Sequence, residues 1–148
     1  MAKQLTNQQI EDALAALQTF KPDANLEAKL RLNRNFRKLQ VAWREKESDR
    51  EMLLWSAMSD QTKRPEANSN TLLSPEEQRR FKPELRTLMQ KQVEVEIHPL
   101  EFFDSREGET PKEPKFAIDA AKLKEVPEEL GVLLEVGILV RPDSETSN

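Results

Sequence analysis

The stretch LEAKLRLNRNFRKLQVAW, residues 26–43, decides the fold of this chain. Its strongest apolar residues recur at steps of four, three and four, which is the spacing of one face of an α-helix. They are Leu32, Phe36, Leu39 and Trp43. Leu26 and Leu30 extend the apolar seam toward the start of the stretch, where Asp23 or Asn25 can cap a helix.

The same rhythm continues onto Lys46 and Arg50, which are poor core residues, before apolar residues return at 53–58. We therefore predict one long helix over residues 25–58. Its middle, residues 46–51, is expected to be solvated, or the helix to bend near 48–49.

Basic residues flank this seam, and no acidic residue lies between Lys29 and Arg44. The six basic residues are Lys29, Arg31, Arg34, Arg37, Lys38 and Arg44. Charge is unevenly distributed along the chain. Residues 1–92 include 17 basic and 13 acidic residues, whereas residues 93–148 include 6 basic and 14 acidic residues. The acidic part is expected to lie near the basic helix in the same molecule or a neighbour, or else the two parts form separate partner surfaces.

The composition excludes several classes of site. The chain has no cysteine, one histidine and three glycines in 148 residues, which argues against disulfides, thiolate or histidine-rich metal sites and glycine-rich phosphate loops. Glu94, Glu96 and His98 are more typical of a solvated strand and its end than of acid–base chemistry. We therefore expect a protein that is not an enzyme and has no metal or cofactor. With 34% charged residues and no apolar run of about 18 residues, we also expect a cytoplasmic protein without a membrane span.

The other segments indicate a mainly helical α+β fold. A helix over 7–20, capped by Thr6 or Asn7 and ended by Pro22, forms with the long helix a helical hairpin over residues 1–59. Residues 60–71 read as a flexible linker or loop, and residues 141–148 as a disordered tail.

Residues 72–140 are predicted to form a small α+β part packed on the hairpin. It contains a helix that starts at Ser74-Pro75 and is broken near Pro83. It then has a short two-stranded β element that pairs 93–97 with 116–118, and a last helix that opens at Pro127.

Five groups of residues carry a resemblance to a known family: residues 26–30, residues 34–39, Leu85 with Leu88, residues 93–95 with Ile97, and residues 127–130. They resemble segments of small, uncharacterised bacteriophage accessory proteins. This chain has Asn25-Leu26 where a proline often precedes the Lys-Leu step in that family. The resemblance implies a phage origin and an accessory or host-directed role, and it transfers no catalytic residues.

We therefore expect a non-enzymatic phage protein that binds another protein, either in virion assembly or as a host-factor binder or inhibitor. It would act in the host cytoplasm or with the virion. The candidate contact residues are Arg34, Arg37, Lys38, Trp43 and Trp55. One of the two tryptophans is a candidate partner anchor while the other is core, although a core role for both is favoured.

An alternative is a nucleic-acid-binding regulator that uses the basic face of helix 25–58. Its candidate contact residues are Arg31, Arg34, Arg37 and Lys38. A third possibility is a homo-oligomer that buries the apolar seam between chains.

Overall fold

The computed structural model describes residues 2–60, 72–123 and 127–142. It confirms the predicted class, a mainly helical α+β fold. The elements, in chain order, are β1 (Ala2–Thr6), α1 (Asn7–Thr19), α2 (Leu26–Ala57), α3 (Pro75–Gln90), β2 (Gln92–Glu96), β3 (Leu100–Phe103), β4 (Ala117–Asp119), α4 (Glu129–Glu135) and β5 (Leu139–Val140). None of the helices in these described ranges is both long and apolar enough to cross a membrane.

The first two helices form the predicted hairpin. Thr6 caps α1 in a capping box, in which its hydroxyl accepts from the Gln9 N–H and the Gln9 side chain accepts from the Thr6 N–H. Asn25 caps α2 by accepting from the Ala28 N–H at 3.0 Å. These local bonds satisfy helix-end donors and fix where each helix begins.

Helix α2 is continuous over its 32 residues. Leu32 and Leu39 are buried as predicted, but Leu26 and Leu30 are exposed, so the prediction that the seam begins at Leu26 was wrong. At 100° per residue, Leu26 and Leu30 lie on the opposite side of the helix from Leu39. The four-residue spacing of Leu26 and Leu30 is typical of one helix face, but it does not show that this face lies opposite the one that carries Leu39.

The predicted strand at 93–97 is present as β2, but its predicted pairing was wrong. It pairs antiparallel with β1, bringing Leu5 opposite Val93 and Lys3 opposite Val95. Residues 117–119 instead join a three-stranded parallel sheet of order β4-β3-β5. Strand β3, the short apolar segment that starts at Leu100, is therefore the central strand of this sheet.

Pro83 does not break α3, which contradicts the predicted interruption. Proline removes one helical N–H and so leaves the carbonyl of the residue four positions earlier without its usual partner. That residue is Arg79, and both Pro83 and Arg79 are exposed, so water can satisfy the carbonyl. The buried residue Phe81 holds the helix against the end of α2.

Within the described ranges, the core consists of two apolar clusters. The main cluster joins α1 and α2 to the strands and α4, so it combines residues from both parts of the predicted domain division. The second cluster joins the last turns of α2 to α3 and contains Leu54, Ala57, Met58 and Phe81. Residues 61–71 of the predicted linker and residues 143–148 of the predicted tail lie outside the described residues. Arg141, at the start of that tail, lies 3.6 Å from Glu109 and over the Phe102 ring.

Candidate protein-binding surface

The basic side chains predicted to bind a partner share one side of α2. Arg34, Arg37 and Lys38 are all exposed. At 100° per residue they fall within about one third of the helix circumference, together with three further exposed residues. We define the α2 outer face as Leu30, Arg34, Arg37, Lys38, Val41 and Arg44.

The outer face combines positive charge with exposed apolar groups. Leu30 is 53% exposed and Val41 is 58% exposed, and they are two of the five large apolar side chains that are exposed in the described residues. The face runs about 21 Å along the helix from Leu30 to Arg44. Residues 28–44 contain no acid, but Glu45, Glu94 and Glu96 line the same shallow pocket as Lys38 and Val41, so carboxylates border this part of the face.

Arg31 lies at the edge of the same side of α2, about 20° from Lys38 around the helix, but its side chain turns toward the body of the molecule and is 22% exposed. Its guanidinium sits 3.5 Å from the centre of the Phe116 ring and donates to the Pro99 carbonyl at 3.1 Å. The Glu113 carboxylate is 3.9 Å away. Its Nε is buried, with no hydrogen-bond partner in the described part of the chain. These contacts separate Arg31 from the other three residues of the nucleic-acid alternative.

Asn35 is a buried amide that sequence reasoning missed. It is 0% exposed, and its Nδ2 donates to the His98 carbonyl at 2.8 Å. Its Oδ1 accepts from the His98 N–H, also at 2.8 Å. The side chain thus pairs with a backbone amide as a neighbouring strand would. One turn earlier, Arg31 bonds to Pro99, so the two side chains attach α2 to the link between β2 and β3.

This attachment places the single histidine of the chain beside α2. Partial burial lowers the pKa of the His98 imidazole from its ordinary value of 6.5, and the nearby Glu96 carboxylate opposes that effect. The cations Arg34 and Arg31 act in the same direction as burial. The imidazole is therefore held in its neutral form more strongly than in the unfolded chain.

We expect the free energy of unfolding to fall as the pH drops through about 6.5, because below that value the unfolded chain binds a proton that the folded His98 resists. Proton NMR titration of the single histidine should give a pKa below that of the urea-unfolded chain. His98→Gln should remove this part of the pH dependence. Equal histidine pKa values in the two states would contradict the prediction.

The middle of α2 is not fully solvated, which corrects the expectation for residues 46–51. Lys46 is only 3% exposed, and its Nζ lies 2.8 Å from Glu47 and 3.4 Å from Glu11. The ammonium group also lies 5.2 Å from the centre of the Trp43 ring. A long aliphatic stem allows lysine to occupy a core position while its charge reaches partners at the edge.

The two tryptophans pack on different clusters. Trp43 is half-buried against the main core, and Trp55 is half-buried against the second cluster. The indole N–H of Trp55 is buried and has no partner within the described ranges. Their roles in partner binding remain predictions, but neither lies among the freely exposed residues of the α2 outer face.

The described residues contain no group of three or more histidine, cysteine, aspartate or glutamate side chains arranged to hold a metal ion. No protein-family model matches this chain, and no significant match was found among curated proteins or among solved structures. The resemblance to phage accessory proteins therefore remains a prediction.

Proposed function

We propose that this chain is a non-enzymatic bacteriophage protein that acts by binding another protein, and that the α2 outer face makes the contact. The observation that carries the proposal is the exposure of Arg34, Arg37 and Lys38 beside Leu30 and Val41 on a long, well-packed helix. Rigid helices that present apolar and arginine side chains are suited to specific protein interfaces.

The chemistry of this face favours an acidic, partly apolar partner. Positive charge on one surface is complemented by negative charge on the other, which speeds association and disfavours wrong partners. An isologous contact between two copies of the chain would place this basic face against itself, so the face opposes that kind of self-association. A virion component and a host factor are both compatible with this chemistry.

Three of the four residues predicted to contact nucleic acid are exposed on the surface of α2. Arg34, Arg37 and Lys38 are exposed and aligned, as phosphate contacts require, whereas Arg31 bonds internally. The net charge of −4 opposes general attraction to nucleic acid. We therefore rank protein binding first.

Charge reversal of the outer face separates these functions. A partner captured from phage-infected cells would be purified, and its affinity measured by calorimetry. The triple variant Arg34→Glu, Arg37→Glu and Lys38→Glu should weaken binding by about tenfold or more, because it repels an acidic partner. The melting temperature should stay close to that of the parent chain.

The matched control is Arg79→Glu, Lys82→Glu and Arg86→Glu, which makes the same charge change at exposed positions of α3. This control should leave partner affinity unchanged. Equal effects of the two triple variants would reject the outer face as the contact. A gel-shift assay tests the nucleic-acid alternative. It would be favoured if the parent chain binds nucleic acid, if the affinity falls steeply with salt, and if the α2 triple variant does not bind.

A further inference from the structure

A cleft lies where the end of α1 turns into the start of α2. Its volume is about 560 Å³, within the range of ligand pockets. Most of its wall is apolar. The apolar lining residues are Leu17, Phe20, Pro22, Leu32 and Phe36.

The polar residues of the cleft are uncharged or basic. Lys21 and Lys29 are both exposed, and Gln18 and Asn33 complete the described lining. None of these lining residues is acidic. An apolar group that enters the cleft therefore meets positive charge at the margin, where a neighbouring carboxylate would be favoured.

The cleft borders the α2 outer face. Lys29 directly precedes Leu30, and Asn33 lies one turn from Arg37 on the same helix. One partner segment can therefore cover the cleft and the outer face together. Basic side chains continue from Lys21 and Lys29 to the outer face.

We propose that the cleft receives one apolar side chain of an acidic amphipathic segment of the protein partner, while the carboxylates beside it meet Lys21 and Lys29. This inference rests on the proposed function, and it identifies the kind of partner segment that the surface selects. A nucleic-acid strand fits the cleft less well. Phe20 is buried and Phe36 half-buried, so neither ring is open enough to serve as a stacking platform for bases.

The test uses a panel of short, labelled, acidic helical peptides that carry one phenylalanine, leucine or tryptophan. Binding to the full chain is measured by fluorescence anisotropy, and the site by amide chemical shifts of ¹⁵N-labelled protein. At least one peptide should bind and shift the amides of Lys21, Lys29 and Phe36. Replacing its apolar residue by alanine should weaken binding by about tenfold, and replacing its acids by lysine should abolish it.

Substitutions at exposed positions test the cleft without disturbing the fold. Phe36 packs on the core, so its truncation could destabilise the fold, whereas Asn33 and Lys29 are exposed. Asn33→Trp, which fills the cleft margin, and Lys29→Glu should each weaken peptide binding by about tenfold with little change in melting temperature. Lys82→Glu on α3 should have no effect.

Failure of every peptide to bind would overturn the inference, as would binding that is insensitive to Asn33→Trp or to loss of the apolar residue. If no peptide binds but the α2 triple variant still binds the captured partner more weakly than the parent chain does, only the cleft assignment is wrong. If peptides bind at the cleft while the captured partner binds the triple variant as tightly as the parent chain, the proposed contact face is wrong.

Discussion

Replacing Asn35 by alanine is expected to lower the free energy of unfolding by about 2–4 kcal/mol. The side chain is 0% exposed and makes two hydrogen bonds of 2.8 Å to the backbone of His98. Its loss leaves the N–H and the carbonyl of His98 without partners, and each costs about 1–3 kcal/mol when it is shielded from water. Because His98 is only half-buried, we expect the total to fall in the lower part of the summed range. Urea-induced unfolding, with the slope compared as well as the midpoint, measures the effect.

Two further variants separate the hydrogen bonds from general effects on the helix. Asn33→Ala, at an exposed position of the same helix, should leave stability unchanged or slightly higher, because alanine is the better helix former. Asn35→Asp keeps the acceptor but loses the donor to the His98 carbonyl and buries a charge, so it should not restore stability. A loss below about 1 kcal/mol for Asn35→Ala would show that water replaces the amide.

Gly137→Ala should destabilise the fold by about 2 kcal/mol, since it combines an unfavourable backbone angle with an overlap. Gly137 has φ of 83°, a left-handed conformation, at the junction between α4 and β5. The added methyl group would also meet the Lys3 ammonium group of β1. Thermal and urea unfolding should both report the loss.

Two other glycines provide matched controls for this substitution. Gly108 has φ of 78° with open space around it, so Gly108→Ala measures the backbone cost alone. Gly131→Ala, inside α4 with open space around it, should raise stability by about 0.5–1 kcal/mol. Combining Lys3→Ala with Gly137→Ala should recover the part of the loss caused by the overlap. Equal losses for Gly108→Ala and Gly137→Ala would show that Lys3 moves aside freely.

Local patterns predicted the helices well because helix formation depends on near neighbours. The caps at Thr6 and Asn25 are each one of the two candidates that the sequence offered, and the helix start at Ser74-Pro75 appears as predicted. Pro83 was misjudged because the cost of a proline depends on whether water reaches the freed carbonyl, which is a property of the packed molecule.

Strand pairing was not predictable in the same way. The sequence of β1, AKQLT, contains one strongly apolar residue and so lacks the alternation that marked β2. The parallel pairing of β3 with β4 and with β5 depends on segments far apart in sequence. Short apolar runs do not show which of several partners they will join.

The candidate surface was predicted in part. Sequence spacing identified Arg34, Arg37 and Lys38, and the structure leaves all three exposed. It could not show that Arg31 reaches Phe116 and Pro99, since those residues approach only in the folded chain. The burial of Asn35 and Lys46 was missed for the same reason. A polar side chain can be buried in an apolar seam only where it finds partners, and the sequence does not show which partners the fold brings close.

The pairing of Ala2 with Glu96 has a consequence for the order in which the chain is made. Strand β1 can pair only after about ninety further residues have been synthesised, whereas α1 and α2 follow it directly in the sequence. Closure of the β1–β2 ladder is therefore expected to be a late event, which joins two segments that are synthesised far apart in time.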